Sequence, residues 1–452
     1  MRTTVSAGCK LLAAALLASC AAVAPSSVQV EHAYVLYTGD GMAARALVRG
    51  AACPAIVIDG AARAMSVRAP AAEIATRTVA QGLSKPARFD LTVCEAPLPA
   101  GVRHAQVGGI DLSLPAGKGP RRIVVIGDTG CRMKQSENAF QSCTDSAAWP
   151  FARVASAAAR LKPDMVIHVG DYHYRESPCP AGEAACAGSP WGFGQDVWTA
   201  DFFAPAQPLL MAAPWVFVRG NHETCSRAGQ GWFRMLDAAP FTPSRSCDLA
   251  ANDAAAAHTA PFTVRLGDAH QLIVFDSSEQ ADAKAAFAAE FAEVERLAAL
   301  APHSIFLSHH PVLGLGLPAK GKDVKPAAKG MLASLQAAHP GRLFPDSVEL
   351  ALHGHVHLFE ALGFAPGGTP TFVLGNSGSL GEGSLLAKLP LTGTQLGPVT
   401  IDSFHTRGGY GFALLERSGA QWQLTEYDLD GVARMRCAVA SPTLRCTGAG
   451  GR

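Results

Sequence analysis

The stretch Asp164-Met165-Val166-Ile167-His168-Val169-Gly170-Asp171-Tyr172-His173-Tyr174 decides how this chain is read. An apolar, β-branched run ends in Gly170-Asp171, so a buried strand delivers a carboxylate to the rim of a sheet. Four further runs end in polar, ligand-type residues. Ile123 to Ile126 leads into Gly127-Asp128-Thr129-Gly130, and Trp215 to Val218 into Gly220-Asn221-His222-Glu223. Ser304 to Leu307 precedes Ser308-His309-His310-Pro311, and Val348 to Leu352 runs into His353-Gly354-His355-Val356-His357. Carboxylates, an amide and imidazoles converging from several strand ends make a hard-to-borderline metal site, with Asp171 placed to bridge two ions.

Taken singly, each residue has a plainer reading. An Asp after a strand caps the following helix, which would serve for Asp128 or Asp171 alone. His168 lies inside its strand and reads as a satisfied core histidine, and Tyr172 and Tyr174 as rim aromatics. Five such ends in one chain are harder to explain singly than as one site.

In order, the five motifs resemble the calcineurin-like metallophosphoesterases, and within them the purple acid phosphatases, over residues 121 to 380 or so. The resemblance implies an αββα-sandwich domain with a dinuclear metal centre. One metal would be held by Asp128, Asp171, Tyr174 and His357, the other by Asp171, Asn221, His309 and His355. A shared carboxylate sets two ions about 3.5–4 Å apart, a spacing suited to phosphoryl transfer through metal-activated hydroxide. In the wider superfamily the first motif is Asp-x-His. Here Gly130 replaces that His, as in the purple acid phosphatases, which use a Tyr three residues after the bridging Asp, matching Tyr174. A phenolate ligand calls for Fe³⁺, paired with a divalent ion such as Fe²⁺, Zn²⁺ or Mn²⁺. His222 is expected to face the substrate and to stabilise the transition state or protonate the leaving oxygen, with Glu223 holding its imidazole. His310 is expected to contact the substrate phosphate, and His353 is a weaker candidate for the same contact.

The expected activity is therefore hydrolysis of a small phosphorylated substrate, a phosphomonoester in the manner of an acid phosphatase. The alternatives are a phosphodiesterase of the same fold and a non-catalytic cell-envelope binding protein. With a formal net charge of +1 over 452 residues, there is no global basic field of the kind nucleic-acid binding requires.

Around this core the chain divides by composition. Residues 1–20 read as a lipoprotein-type export signal: Arg2 and Lys10 are basic, Leu11 to Ala18 is apolar, and Leu17-Ala18-Ser19-Cys20 resembles a lipobox. Cys20 would carry the lipid, placing the protein in the periplasm or cell envelope, with the membrane reached only through that anchor. An ordinary signal peptide cut after Ala22-Val23-Ala24 is the alternative. Beyond Cys9 and Cys20, ten cysteines fall into the sequence-local couples Cys53/Cys94, Cys131/Cys143, Cys179/Cys186, Cys225/Cys247 and Cys437/Cys446. An even set in an exported chain reads as disulfides, with a connectivity that sequence does not fix.

Residues 21–118 carry short runs (Tyr34 to Leu36, Ala55 to Ile58, Phe89 to Val93) between turns, the pattern of a small all-β sandwich, fibronectin- or immunoglobulin-like. Residues 119–436 form the metallophosphoesterase domain, closed by strands at Gly411 to Glu416 and Trp422 to Tyr427, and 437–452 a tail. Helices are expected at Ala147 to Leu161 and Ala281 to Leu300, and a hairpin joins Phe262 to Leu266 with Gln271 to Phe275. Two loops stand out. Ser177 to Pro205 is expected to hold Trp191, Phe193 and Trp198 near the site mouth. Gly314 to Gly330 carries Lys320, Lys322, Lys325 and Lys329, which would attract anions.

Overall fold

The computed structural model describes residues 28–448 apart from 78–83, 116, 118, 268, 280–286, 317–323, 366, 382–388 and 420. Cys9 and Cys20 lie outside the described residues, as do Lys320 and Lys322.

Two sheets stacked face to face carry the site. In the first, Arg122–Ile126, Met165–His168 and Trp215–Phe217 pair in parallel. In the second, His270–Val274, His303–Leu307, Val348–His353 and Gly368–Leu374 do the same. Their continuous apolar runs follow from burial on both faces. Ile123, Val125, Ile167 and Val216 meet Leu272, Ile305, Leu350 and Leu352 between the sheets. The alternate residues Val124, Ile126, Val166 and Phe217 face an outer layer containing Phe151, Val154 and Leu209. On the far side, Ile273, Phe306 and Ala351 face Phe291, Val294 and Met331 of the helices Ala288–Ala298 and Lys329–Ala338. The layers are therefore αββα, as expected.

The first helix begins at Phe151 rather than Ala147, because the chain ahead of Pro150 turns to aim Trp149 Nε1 at the Thr129 carbonyl, 2.8 Å away. The second begins at Ala288, and 280–286 lie outside the described residues. The hairpin forms between Phe262–Arg265 and His270–Val274.

The N-terminal region is a β-sandwich whose two layers enclose Val35, Ala44, Ala46, Ile56, Ile58, Ala96 and Val107. One layer does not stop at a domain border. Val30–Thr38 pairs in parallel with Trp215–Phe217, Leu36 opposite Trp215, so the first sheet runs on through Gly41–Arg49, Leu91–Leu98 and Ser66–Ala69 to eleven strands. Its other face, through Tyr34, Leu36, Leu47 and Val93, packs into the same cluster as Phe203 and Trp215.

The described part of the segment expected as a C-terminal tail, residues 437–448, also joins the sheet. Ala433–Ala440 and Thr443–Gly448 form a hairpin with Cys437 opposite Cys446. Arg434 and Arg436 make the run look solvated, but alternation turns Cys437 and Val439 into the inter-sheet core. All five cysteine couples are disulfides with Cα separations of 4.0 to 5.6 Å. These bridges mark a chain that matures in an oxidising, exported setting. No helix among the described residues is long and apolar enough to cross a membrane.

Two buried arginines tie the N-terminal strands to the helix Gly229–Met235 behind the Asn221 motif. Arg45 donates to the carbonyls of Met235 and Asp237, each at 2.7 Å. Arg68 donates to those of Phe233, Arg234, Asp237 and Ala239 at 2.8 to 3.0 Å. Arg68→Ala takes this donor from the Phe233, Arg234 and Ala239 carbonyls and leaves Asp237 with Arg45 alone, and an expected loss of about 3 kcal/mol follows. Urea unfolding checks this, and a midpoint unchanged from wild type would show that the brace adds nothing.

Candidate metal centre

The ligand-type residues all stand at the carboxyl ends of parallel strands, where neighbouring loops meet. Asp128 follows Arg122–Ile126, Asp171 follows Met165–His168, and Asn221 opens a short turn after Trp215–Phe217. His309 follows His303–Leu307, and His355 and His357 follow Val348–His353. Asp128, Asp171 and His355 have φ of 55°, 59° and 73°, a left-handed backbone that non-glycine residues seldom adopt. Such strain is held by its surroundings. A Cβ on Gly220 would lie 2.1 Å from Asp171 Oδ1, and one on Gly354 2.6 Å from Asp128 Oδ2. Gly130 is equally confined, its Cβ position 2.7 Å from the Tyr172 carbonyl oxygen, so no side chain of any size fits there.

Two groups of acceptors result. The Tyr174 hydroxyl lies 2.8 Å from His357 Nε2, 2.9 Å from Asp171 Oδ2 and 3.0 Å from Asp128 Oδ1. His357 Nδ1 is 2.7 Å from the Leu380 carbonyl, so it carries the ring proton and leaves Nε2 a lone pair. One phenolic proton thus faces three acceptors. In the second group, His309 Nε2 lies 3.0 Å from Asn221 Oδ1 and 3.2 Å from Asp171 Oδ2, with Nδ1 turned to the Val169 carbonyl at 2.9 Å. His355 Nδ1 is 3.2 Å from the same Asn221 oxygen. Asp171 belongs to both groups.

This surplus of acceptors shows in the acid–base behaviour. Burial would lower the His309 pKa, but the Asp171 carboxylate outweighs it and raises it to about 9, since a proton there relieves the crowd. Burial and the Asp128 and Asp171 carboxylates push the Tyr174 phenol well above its usual value. Burial would raise Asp171, yet His309 and His222 hold it well below the usual carboxylate range. Cations at the two positions would satisfy every one of these acceptors, so the donor set fits a metal pair.

His222 donates its backbone N–H to Asp171 Oδ1 at 2.9 Å, and its ring lines the cleft. Glu223 does not hold that ring, contrary to expectation. Its carboxylate turns back to accept the N–H groups of Asp171, Tyr172, His173 and Gly220 at 2.9 to 3.3 Å, clamping two motif loops together. Burial, with Asp171 beside it, pushes Glu223 up to about 8. The partner of the His222 ring is Glu176, 2.8 Å from Nδ1, with Arg227 bridging the two. Burial and the Arg227 guanidinium depress His222 to about 4. Glu176 follows Tyr174 by two residues, and Arg227 follows His222 by five. Neither spacing signals the contact.

His310 stands behind His355, rings 4.3 Å apart, with Nδ1 3.2 Å from Ser277 Oγ, and it does not line the cleft. His353 is buried against Ser308 Oγ at 2.9 Å, and His168 is the core histidine expected, 3.0 Å from Thr129 Oγ1. The aromatics of 177–205 are not at the mouth: Trp198 and Phe193 are buried, and Trp191 packs under Lys85. What that loop contributes is Asp201, a residue the sequence reading passed over. It accepts the N–H groups of Cys131, Tyr174 and Arg175 and so fixes the loop bearing Tyr174.

A family model described as calcineurin-like phosphoesterase matches residues 121–359, more than half of the chain. The chain belongs to that family. It is therefore a phosphoester hydrolase of a metal-dependent family. Among solved structures, a purple acid phosphatase from yellow lupin (Lupinus luteus) seeds is 14% identical with a TM-score of 0.53, covering 92% of this chain and 74% of that one. PhoD is 11% identical with a TM-score of 0.54, covering 94% and 92%. Both likenesses are of fold. A comparison with curated proteins finds no match.

Gly220→Ala puts a methyl group against Asp171, and we expect it to lower metal affinity and turnover of an aryl phosphate by about 100-fold. Metal content by atomic emission, measured beside activity, checks this. Wild-type values for both would remove Asp171 from the ligand set.

Proposed function

We propose that the chain is a phosphomonoesterase of the acid phosphatase type, with Asp128, Asp171, Tyr174 and His357 holding Fe³⁺ and Asp171, Asn221, His309 and His355 a divalent ion. The observation that carries this reading is the Tyr174 hydroxyl set among Asp128, Asp171 and His357 at 2.8 to 3.0 Å. Its phenol, pushed up by burial and two carboxylates, becomes a phenolate only against a strongly acidic cation. When bound, the metal pair supplies charge for the phosphoryl oxygens and acidifies water.

The chain's own residues do the rest. Asp171 and Asn221 orient the site, Glu223 locks the loops that present them, and the cleft of about 280 Å³ admits a small ester. Glu176 accepts from His222 Nδ1 and Arg227 Nη2 lies 2.6 Å from Nε2, so the ring is fixed on the cleft wall. Its depressed pKa of about 4 confines proton delivery to the leaving oxygen to acidic solution, where the ring is charged. His310, set behind His355, orients that ligand rather than touching phosphate. Lys325, exposed beside the cleft-lining Ala327, adds positive charge near the mouth and favours a dianion over a monoanion.

Aryl mono- and bis-phosphoesters matched in their leaving group test the reaction class. The expected result is kcat/KM at least about tenfold higher for the monoester, and a diester preference would overturn the assignment. For the metal, oxidised protein should show a visible phenolate-to-iron charge-transfer band that Tyr174→Phe abolishes. A colourless, fully active enzyme indifferent to that change would refute Fe³⁺ at this position.

A further inference from the structure

One wall of the cleft carries two cations that the metal-ligand groups do not use. Arg132 and Lys134 line it together with Glu137. All three sit on the loop closed by Cys131–Cys143, which is stiffened by pairing of Met133–Lys134 with Ala139–Phe140. The loop is fastened to the site itself, since Met133 donates its N–H to the Tyr174 carbonyl at 3.0 Å. The Arg132 guanidinium thereby lies over the Tyr174 ring, 5.2 Å from its centre.

These cations are short of acceptors. Glu137 takes Arg132 Nη1 at 2.8 Å and Lys134 Nζ at 2.7 Å, so one carboxylate serves two positive charges. Arg132 Nε is buried without a partner. Among the described residues, Arg132 Nη2 has His357 Nδ1 at 3.5 Å, a nitrogen that already donates to Leu380. The guanidinium otherwise meets the Tyr174 side chain, itself shared with Asp128, Asp171 and His357. Both side chains are largely out of water, 21% and 17% exposed, which makes the missing counter-charge costly. A guanidinium and an ammonium aimed into one cleft match an anionic group with two oxygens to offer.

We propose that Arg132 and Lys134 form a second anion subsite, which reads a carboxylate or second phosphate on the leaving group of the phosphomonoester. This deepens the proposed function and rests on it. The substrate class is then a phosphomonoester with a second anionic group a few bonds from the scissile phosphate.

The test uses the metal-loaded full chain and pairs of esters differing by that group. 3-Phosphoglycerate against glycerol 3-phosphate reads a carboxylate, and fructose 1,6-bisphosphate against fructose 6-phosphate reads a phosphate. The expected result in at least one pair is a preference of about tenfold in kcat/KM, expressed in KM, for the doubly anionic ester. Lys134→Gln should remove most of it and Lys134→Arg should keep it. Equal kcat/KM in both pairs, or a preference that survives in Lys134→Gln, overturns the subsite. If wild type hydrolyses none of these esters, the phosphomonoesterase reading fails separately. Calorimetric binding of the same pairs then decides the subsite by the same tenfold margin and the same variants.

Discussion

The structure depends on a surplus of hydrogen-bond acceptors in a space with too few protons. Tyr174, Asp128, Asp171 and His357 meet within about one hydrogen-bond length, and Asp171 is shared with His309 and, through it, Asn221. Buried acceptors without donors are costly, so the fold must hold them against their own repulsion until cations arrive. Two parallel ladders supply that rigidity, and five of their strands end in the ligand-type residues.

The holding is done by a layer of residues with no chemistry of their own. Glu223 gathers four backbone N–H groups from the loops of Asp171 and Gly220. Asp201 does the same for the loops of Cys131 and Tyr174. Through Arg45 and Arg68 the N-terminal strands reach the helix behind Asn221, so a region without ligands still bears on the site. Left-handed backbone at Asp128, Asp171 and His355 persists because these contacts over-determine it.

The same tightness explains Gly130. With the Tyr172 carbonyl and the Tyr174 N–H against its Cβ position, a histidine there is excluded, and the tyrosine on the neighbouring loop occupies the place near Asp128. The crowding at Gly130 and the seating of Tyr174 beside Asp128 are a single packing event seen from two loops. The loop that follows, closed by Cys131–Cys143, brings Arg132 back over that tyrosine, so polarity of the cleft wall is coupled to the ligand arrangement.

Much of this was legible in the residues. Runs buried on both faces must be continuously apolar, so the strands and the ligand-type residues at their ends could be placed from Met165 to Tyr174 and its four counterparts. The cysteine couples were visible too, but their connectivity is set by the fold. Partners set by three-dimensional proximity were not legible. Glu176 rather than Glu223 meets His222, and Asp201 rather than the aromatics of its loop serves the site, because side-chain direction at a loop follows backbone dihedrals that no periodicity encodes. The same holds for the sheet's extent. Alternation around Arg434 and Arg436 resembles a solvated tail until a neighbouring strand buries its other face, and Leu36 pairs with Trp215 across a separation that only the folded chain closes. Local pattern determined which residues are buried and which are offered as ligands; tertiary packing alone decided whom each of them touches, since contact between distant segments is a property of the closed fold.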